Sequence, residues 1–155
     1  MKRLYQPLLR VIEVLLILIF SLLVLDVLGQ VFGRYVLGQS FSFTEEFARF
    51  ALIWLTILGA AYLNGRREHL SMDYWINKLE PAARDRRLRV IELIMAVFAL
   101  VVMVIGGGNL VYTTLRLGQT SAAMQVPLGF VYAIVPLSGL LIVFFSLHNY
   151  RYHEH

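Results

Sequence analysis

The chain has 155 residues, 59% hydrophobic and 15% charged, with a mean hydropathy of +0.69 and a formal net charge of +4. A soluble domain carries roughly 45–50% apolar and about 25% charged residues, so this composition points to a membrane protein. The absence of cysteine excludes a disulfide framework, a thiol nucleophile and a cysteine-based metal site, and the basic residues lie in short segments between apolar runs, which suits membrane flanks better than a nucleic-acid face.

Four runs reach the ~20 mostly apolar residues that a helix needs to cross a ~30 Å hydrocarbon core. The first covers residues 8–28 and continues toward Val36. Lys2 and Arg3 resemble the start of a signal peptide, but the apolar stretch is long and has no A-x-A-like cleavage site, so a retained spanning helix is expected. Asp26 lies late in this helix, near its outer end. An aspartate at the bilayer centre costs about 2.5–3.5 kcal/mol on insertion scales, and less near an interface. Its candidate partners are Arg49, a group on another chain, or water at the interface.

The second run covers residues 43–63, and three charges stand at its entrance in Thr44-Glu45-Glu46-Phe47-Ala48-Arg49. Ser42 with Glu45 fits a capping box, and acidic side chains suit the positive end of the helix dipole. Glu45 and Arg49 are four apart in the favourable acid-before-base order. Adjacent glutamates point about 100° apart on a helix. Arg49 therefore cannot serve both, and Glu46 needs another partner, either water or a protein group. Farther along, Gly59-Ala60-Ala61 forms a small-residue patch suited to close approach by a second helix.

The segment that follows is basic. Within it Met72, Trp75, Ile76 and Leu79 recur at helical spacing, Ser71 can cap the start, and Pro81 closes the end. A short amphipathic helix over 71–80 is expected at the inner interface, with Tyr74 and Trp75 at headgroup level; the alternative is a solvated loop. The third run covers 90–115. Glu92 near its cytoplasmic end, like Glu13 in the first helix, has Arg10 and Arg89 available to neutralise it. Gly106-Gly107-Gly108 followed by Asn109 weakens this helix locally, allowing a bend or a tight contact. The fourth run covers 126–147, where Pro127 suits a first turn and Pro136 should kink the helix.

Inside a bilayer the backbone must satisfy itself, and these runs lack the alternation of barrel strands. The expected fold is an all-α integral membrane protein, one membrane domain over 1–155 with four transmembrane helices. Lys2, Arg3 and Arg10 precede the first helix, and Arg66, Arg67, Lys78, Arg84, Arg86, Arg87 and Arg89 lie between the second and third. The other two loops hold only Arg34 and Arg116. Both termini and the middle loop therefore face the cytoplasm.

Little in the chain suggests chemistry. His69, His148, His153 and His155 lie at helix ends or in the tail, so none forms a mid-membrane pair for haem. There is no H-E-x-x-H, no phosphate loop and no nucleophile with an evident base. A proton relay would need ionisable groups stepping through the core, and the interior of helix four has none. No catalytic residue, cofactor or metal ligand is expected.

Several motifs in order resemble the small membrane subunit of tripartite ATP-independent periplasmic (TRAP) transporters. They run from about residue 34 to residue 140: the E-E-x-x-R of Glu45, Glu46 and Arg49, then Trp54 and Gly59; the turn Arg66-Arg67-Glu68-His69-Leu70-Ser71-Met72-Asp73; and Gln119 through Pro127, with Tyr132 and Pro136 beyond. The resemblance implies a partner of about a dozen helices carrying the substrate and sodium sites. It also implies a periplasmic binding protein that delivers an organic acid, and a place in the bacterial inner membrane. The small subunit would be a scaffold, not an enzyme, with Asp26, Glu45, Glu46, Arg49, Trp54, Gly59, His69, Asp73, Pro127, Tyr132 and Pro136 as structural or interface candidates. Two other classes share the four-helix outline. A membrane anchor of a redox complex should show core histidines. A small integral-membrane enzyme, such as a glutathione-dependent transferase, should show a polar cluster at the cytoplasmic ends, for which 66–73 is a thin candidate.

Overall fold

With no water to pair its backbone inside a bilayer, an apolar chain satisfies its own N–H and C=O groups as helix. The computed structural model describes residues 2–36, 38, 42–66 and 81–151, and most of them are helical. In chain order the elements are α1 (Lys2–Val36), α2 (Ser42–Arg66), α3 (Pro81–Phe98), a π-helical stretch (Ala99–Gly106), α4 (Gly107–Arg116), α5 (Leu128–Tyr132) and α6 (Ile134–Arg151). Four helical stretches are long and apolar enough to cross a membrane: Tyr5–Val36, Ser42–Arg66, Arg86–Arg116 and Leu128–Tyr150. Extended pairing among the described residues is limited to an isolated bridge between Thr120 and Pro127. The amphipathic helix expected over 71–80 lies outside the described residues.

Three of the four spans depart from a plain apolar run. At 35 residues α1 is about 52 Å long, well beyond the hydrocarbon core, and it extends past both ends of 8–28. The third span contains the local weakness expected near Gly106-Gly107-Gly108, as a π-helical turn pattern that ends on the first of these glycines. In the fourth span the kink expected at Pro136 is a one-residue interruption three residues earlier, at Ala133, whose own dihedrals stay helical. Pro136 has no N–H for the carbonyl of Tyr132, so the chain turns at Ala133 and restarts with Pro136 in the first turn of α6, where that N–H is not needed.

The packing is closer to a row than to a closed bundle. On α1, positions 9, 12, 16, 19, 23, 26, 30 and 33 are buried or half-buried, while every other residue from Arg10 to Val36 is exposed. The alternating spacing of three and four is that of a single helix–helix seam, and this seam lies against α2. In turn α2 packs on α6, and α6 on α3 and the π-helical stretch. Ala61, Ala99 and Ile142 form the core where these meet, flanked by Met103, Leu141 and Val143. Glycine makes the closest approach feasible. A Cβ at Gly139 would come within 2.7 Å of Met103 Cβ and 3.2 Å of the Ala99 carbonyl oxygen, and one at Gly107 within 2.8 Å of Val135 Cγ1.

Candidate functional site

At the end of the molecule where α2 begins, α4 stops in a Schellman motif. Gly118 adopts φ +61°, its N–H donates to the Leu115 carbonyl at 3.1 Å, and the N–H of Gln119 donates to the Thr114 carbonyl at 3.1 Å. The chain then folds back on itself. Leu128 N–H donates to the Gln119 carbonyl and Ser121 N–H to the Val126 carbonyl, both at 2.9 Å, while Val126 N–H donates to the buried Ser121 Oγ at 3.2 Å. Gln125 takes a positive φ of 55° to close the loop, and Pro127 stands just before the first residue of α5.

This loop turns three successive amides toward the first turns of α2, where Glu46 meets them. Ala122 N–H donates to Oε1 at 3.0 Å, and Ala123 and Met124 N–H donate to Oε2 at 2.9 and 2.7 Å. Consecutive backbone N–H groups converging in this way form a nest for an anion. Here the anion comes from the chain itself. An ionised carboxylate offers about four acceptor positions, and three are used. The arrangement ties the start of α2 to the loop between the third and fourth spans, and leaves little of Glu46 for proton transfer.

About two turns farther along α2, Trp54 makes a second tie. Its Nε1–H donates to the Val131 carbonyl at 3.0 Å, next to the break at Ala133, where helical carbonyls run short of partners. Asp26 is held differently from expectation. Its Oδ2 accepts from Gln30 Nε2 at 2.6 Å, so the partner is an amide one turn along on the same α1 seam, and not Arg49. Arg49 is exposed, and among the described residues nothing pairs with it. Glu45 is exposed on the same side of α2. Gly59 has nothing within 4 Å, whereas Ala61 of the same small-residue patch is fully buried in the core. The patch therefore splits, one part facing inward and the other outward. Tyr132 is half-buried at the end of α5, and Pro136 packs near Gly107. His69 and Asp73 lie outside the described residues.

A second polar cluster stands at the opposite end. Asn64 and Asn149 are fully buried. Asn64 Nδ2 donates to the Ile142 carbonyl at 3.3 Å and to Ser146 Oγ at 3.0 Å. Asn149 Nδ2 donates to the Asn64 carbonyl and to Glu92 Oε1, each at 3.2 Å. Tyr5 OH donates to the Gly65 carbonyl, and the Tyr5 ring stacks on His148 at 4.3 Å. Glu92 is thus buried against an amide of α6 and not neutralised by Arg10 or Arg89, which are exposed. The asparagines drew no attention in the sequence. Each lies just past the end of an apolar run, where an amide is expected to meet water, and only the structure shows it sealed inside.

Both clusters hold helices together. A family model described as the DctQ component of tripartite ATP-independent periplasmic transporters matches residues 23–153. A small permease protein of a TRAP transporter from Haemophilus influenzae is 26% identical over 133 residues, covering 86% of this chain and 81% of that protein. The ectoine TRAP transporter small permease protein TeaB of Halomonas elongata is 28% identical over 123 residues, covering 77% of this chain and 62% of that protein. With the family model covering most of its length and four helices fit to cross a membrane, the chain belongs to the DctQ family of TRAP transporter small permease subunits.

Proposed function

We propose that this chain is the scaffold subunit of a sodium-coupled importer of an organic acid in the bacterial inner membrane. It pairs with a larger membrane subunit that holds the substrate and sodium sites, and a periplasmic binding protein delivers the substrate. One observation carries the scaffold reading: four polar side chains in or near the spans join the chain's own helices and loops to one another, namely Glu46, Trp54, Asn64 and Asn149.

The surface offered to the larger subunit is the outward stripe of α2. Glu45, Arg49, Leu52, Thr56, Ala60 and Leu63 are all exposed at helical spacing, and Gly59 beside them opens on empty space. The Thr56 hydroxyl is turned back to the Leu52 carbonyl at 2.8 Å, so it is spent on its own helix. Small side chains let helices approach closely in a bilayer, and an Arg at the edge of a span calls for a counter-charge. A partner helix presenting a carboxylate near Arg49 answers both.

The test is co-purification with the larger subunit, followed by reconstitution in liposomes. Arg49→Ala should lower the yield of the complex more than Arg34→Ala does, and liposomes holding this chain alone should take up no organic acid. Uptake by the chain alone would overturn the scaffold reading. Equal losses from the two Arg variants would remove the stripe as the docking face.

A further inference from the structure

Away from its seam with α2, the inner end of α1 carries a groove of about 550 Å³ whose described lining is Gln6, Pro7, Arg10, Val11, Val14 and Leu15. Its polarity is ordered along the helix. The groups able to hydrogen-bond, Gln6 and Arg10, stand at the terminal end, and Val11, Val14 and Leu15 continue toward the membrane interior. All six are exposed, so the groove is reachable from the surrounding bilayer. Arg10 pairs with nothing among the described residues. Glu13 is exposed one turn deeper and does not line the groove.

We propose that this groove seats one anionic phospholipid of the inner leaflet, with its phosphate on Arg10 and Gln6 and an acyl chain along Val11, Val14 and Leu15. The distribution of Lys and Arg places this end on the cytoplasmic side, where the leaflet bears negative surface potential. An Arg with an apolar stem lies along the hydrocarbon while its guanidinium reaches the headgroup plane, and its planar fork pairs two phosphate oxygens at once. A protein helix lying in the same groove would have no need of polarity confined to one end. The inference rests on the orientation of α1 and does not depend on the transporter reading.

Native mass spectrometry of the full-length chain, offered equal amounts of phosphatidylglycerol and phosphatidylcholine with identical acyl chains, tests it. One retained lipid is expected, with phosphatidylglycerol favoured about fivefold, the scale of one basic side chain's attraction to an anionic surface. Arg10→Gln should bring the ratio close to one, while Arg34→Gln, at the outer end of the same helix, should leave it unchanged. Val14→Trp, which fills the groove, should release either lipid. A wild-type ratio near one, or a preference that survives Arg10→Gln, overturns the proposal. So does a Val14→Trp chain that keeps its lipid but no longer co-purifies with the larger membrane subunit, since the groove would then belong to that protein.

Discussion

Glu46 has two oxygens for three amides, and both are needed. Glutamine keeps one acceptor but turns the other into an NH₂ that opposes a backbone N–H, while alanine leaves all three amides without their partner. Glu46→Ala should therefore lower the melting temperature of the detergent-solubilised protein, Glu46→Gln should lower it by a smaller amount, and Glu45→Gln should change it least. Equal falls at positions 45 and 46 would mean that the nest contributes nothing to stability. The need for this contact was legible in the sequence, because neighbouring carboxylates on a helix diverge and one arginine cannot reach both. Its identity was not. Every residue but proline carries an N–H, so nothing in Ala122, Ala123 and Met124 distinguishes them until Gly118 and Gln125 bend the loop. Asp26 shows a related limit: the expected partners were Arg49, another chain or interfacial water, and the amide of Gln30 four residues along the same seam was not among them.

At the level of elements, glycines of the same kind have opposite surroundings. Gly139→Ala would force its new methyl against Met103 Cβ and Val104 Cγ2, and overpacking of that sort costs roughly 1–3 kcal/mol. Gly59→Ala meets open space within this chain and should leave the unfolding midpoint of the isolated protein unchanged or slightly raised, alanine being the better helix former. Chemical denaturation of the two variants side by side measures this, and a Gly139→Ala protein as stable as wild type would refute the close approach of α6 to the π-helical stretch. Sequence reveals that a residue is small but not which way it faces, and so Gly59-Ala60-Ala61 read as one patch. The existence and approximate limits of the spans were legible because hydrocarbon thickness fixes their length. The π-helical stretch was not, since no residue type encodes it. It sits where Gly139 and Val135 press on the third helix.

Across the whole molecule, the nest and the asparagine cluster fasten α2 at both ends. Glu46 and Asn64 are 18 residues apart on that helix, about 27 Å, and share no partner. Asn149→Ala removes the donor to Glu92 and to the Asn64 carbonyl, a loss of about 1–3 kcal/mol. Because the sites are distant, the fall in melting temperature of Glu46→Ala with Asn149→Ala should equal the sum of the two single falls. A double variant no worse than the weaker single one would show that the ends act as one unit. That four helices form was evident from hydropathy, but their lateral order was not, because apolar faces of similar width do not name their neighbours.

The row has a consequence for how the protein is made. Among the described residues, α6 is the element that packs extensively on both α2 and the third span, and it emerges from the ribosome after both of them. Until then α1 and α2 can pair as a hairpin, while the third span waits in the lipid with Glu92 unsealed and its glycine-lined side uncovered. A chain halted before residue 134 is thus a recognisable defect, two sound helices beside an orphan, and it is the arrival of α6 that certifies the three spans made before it.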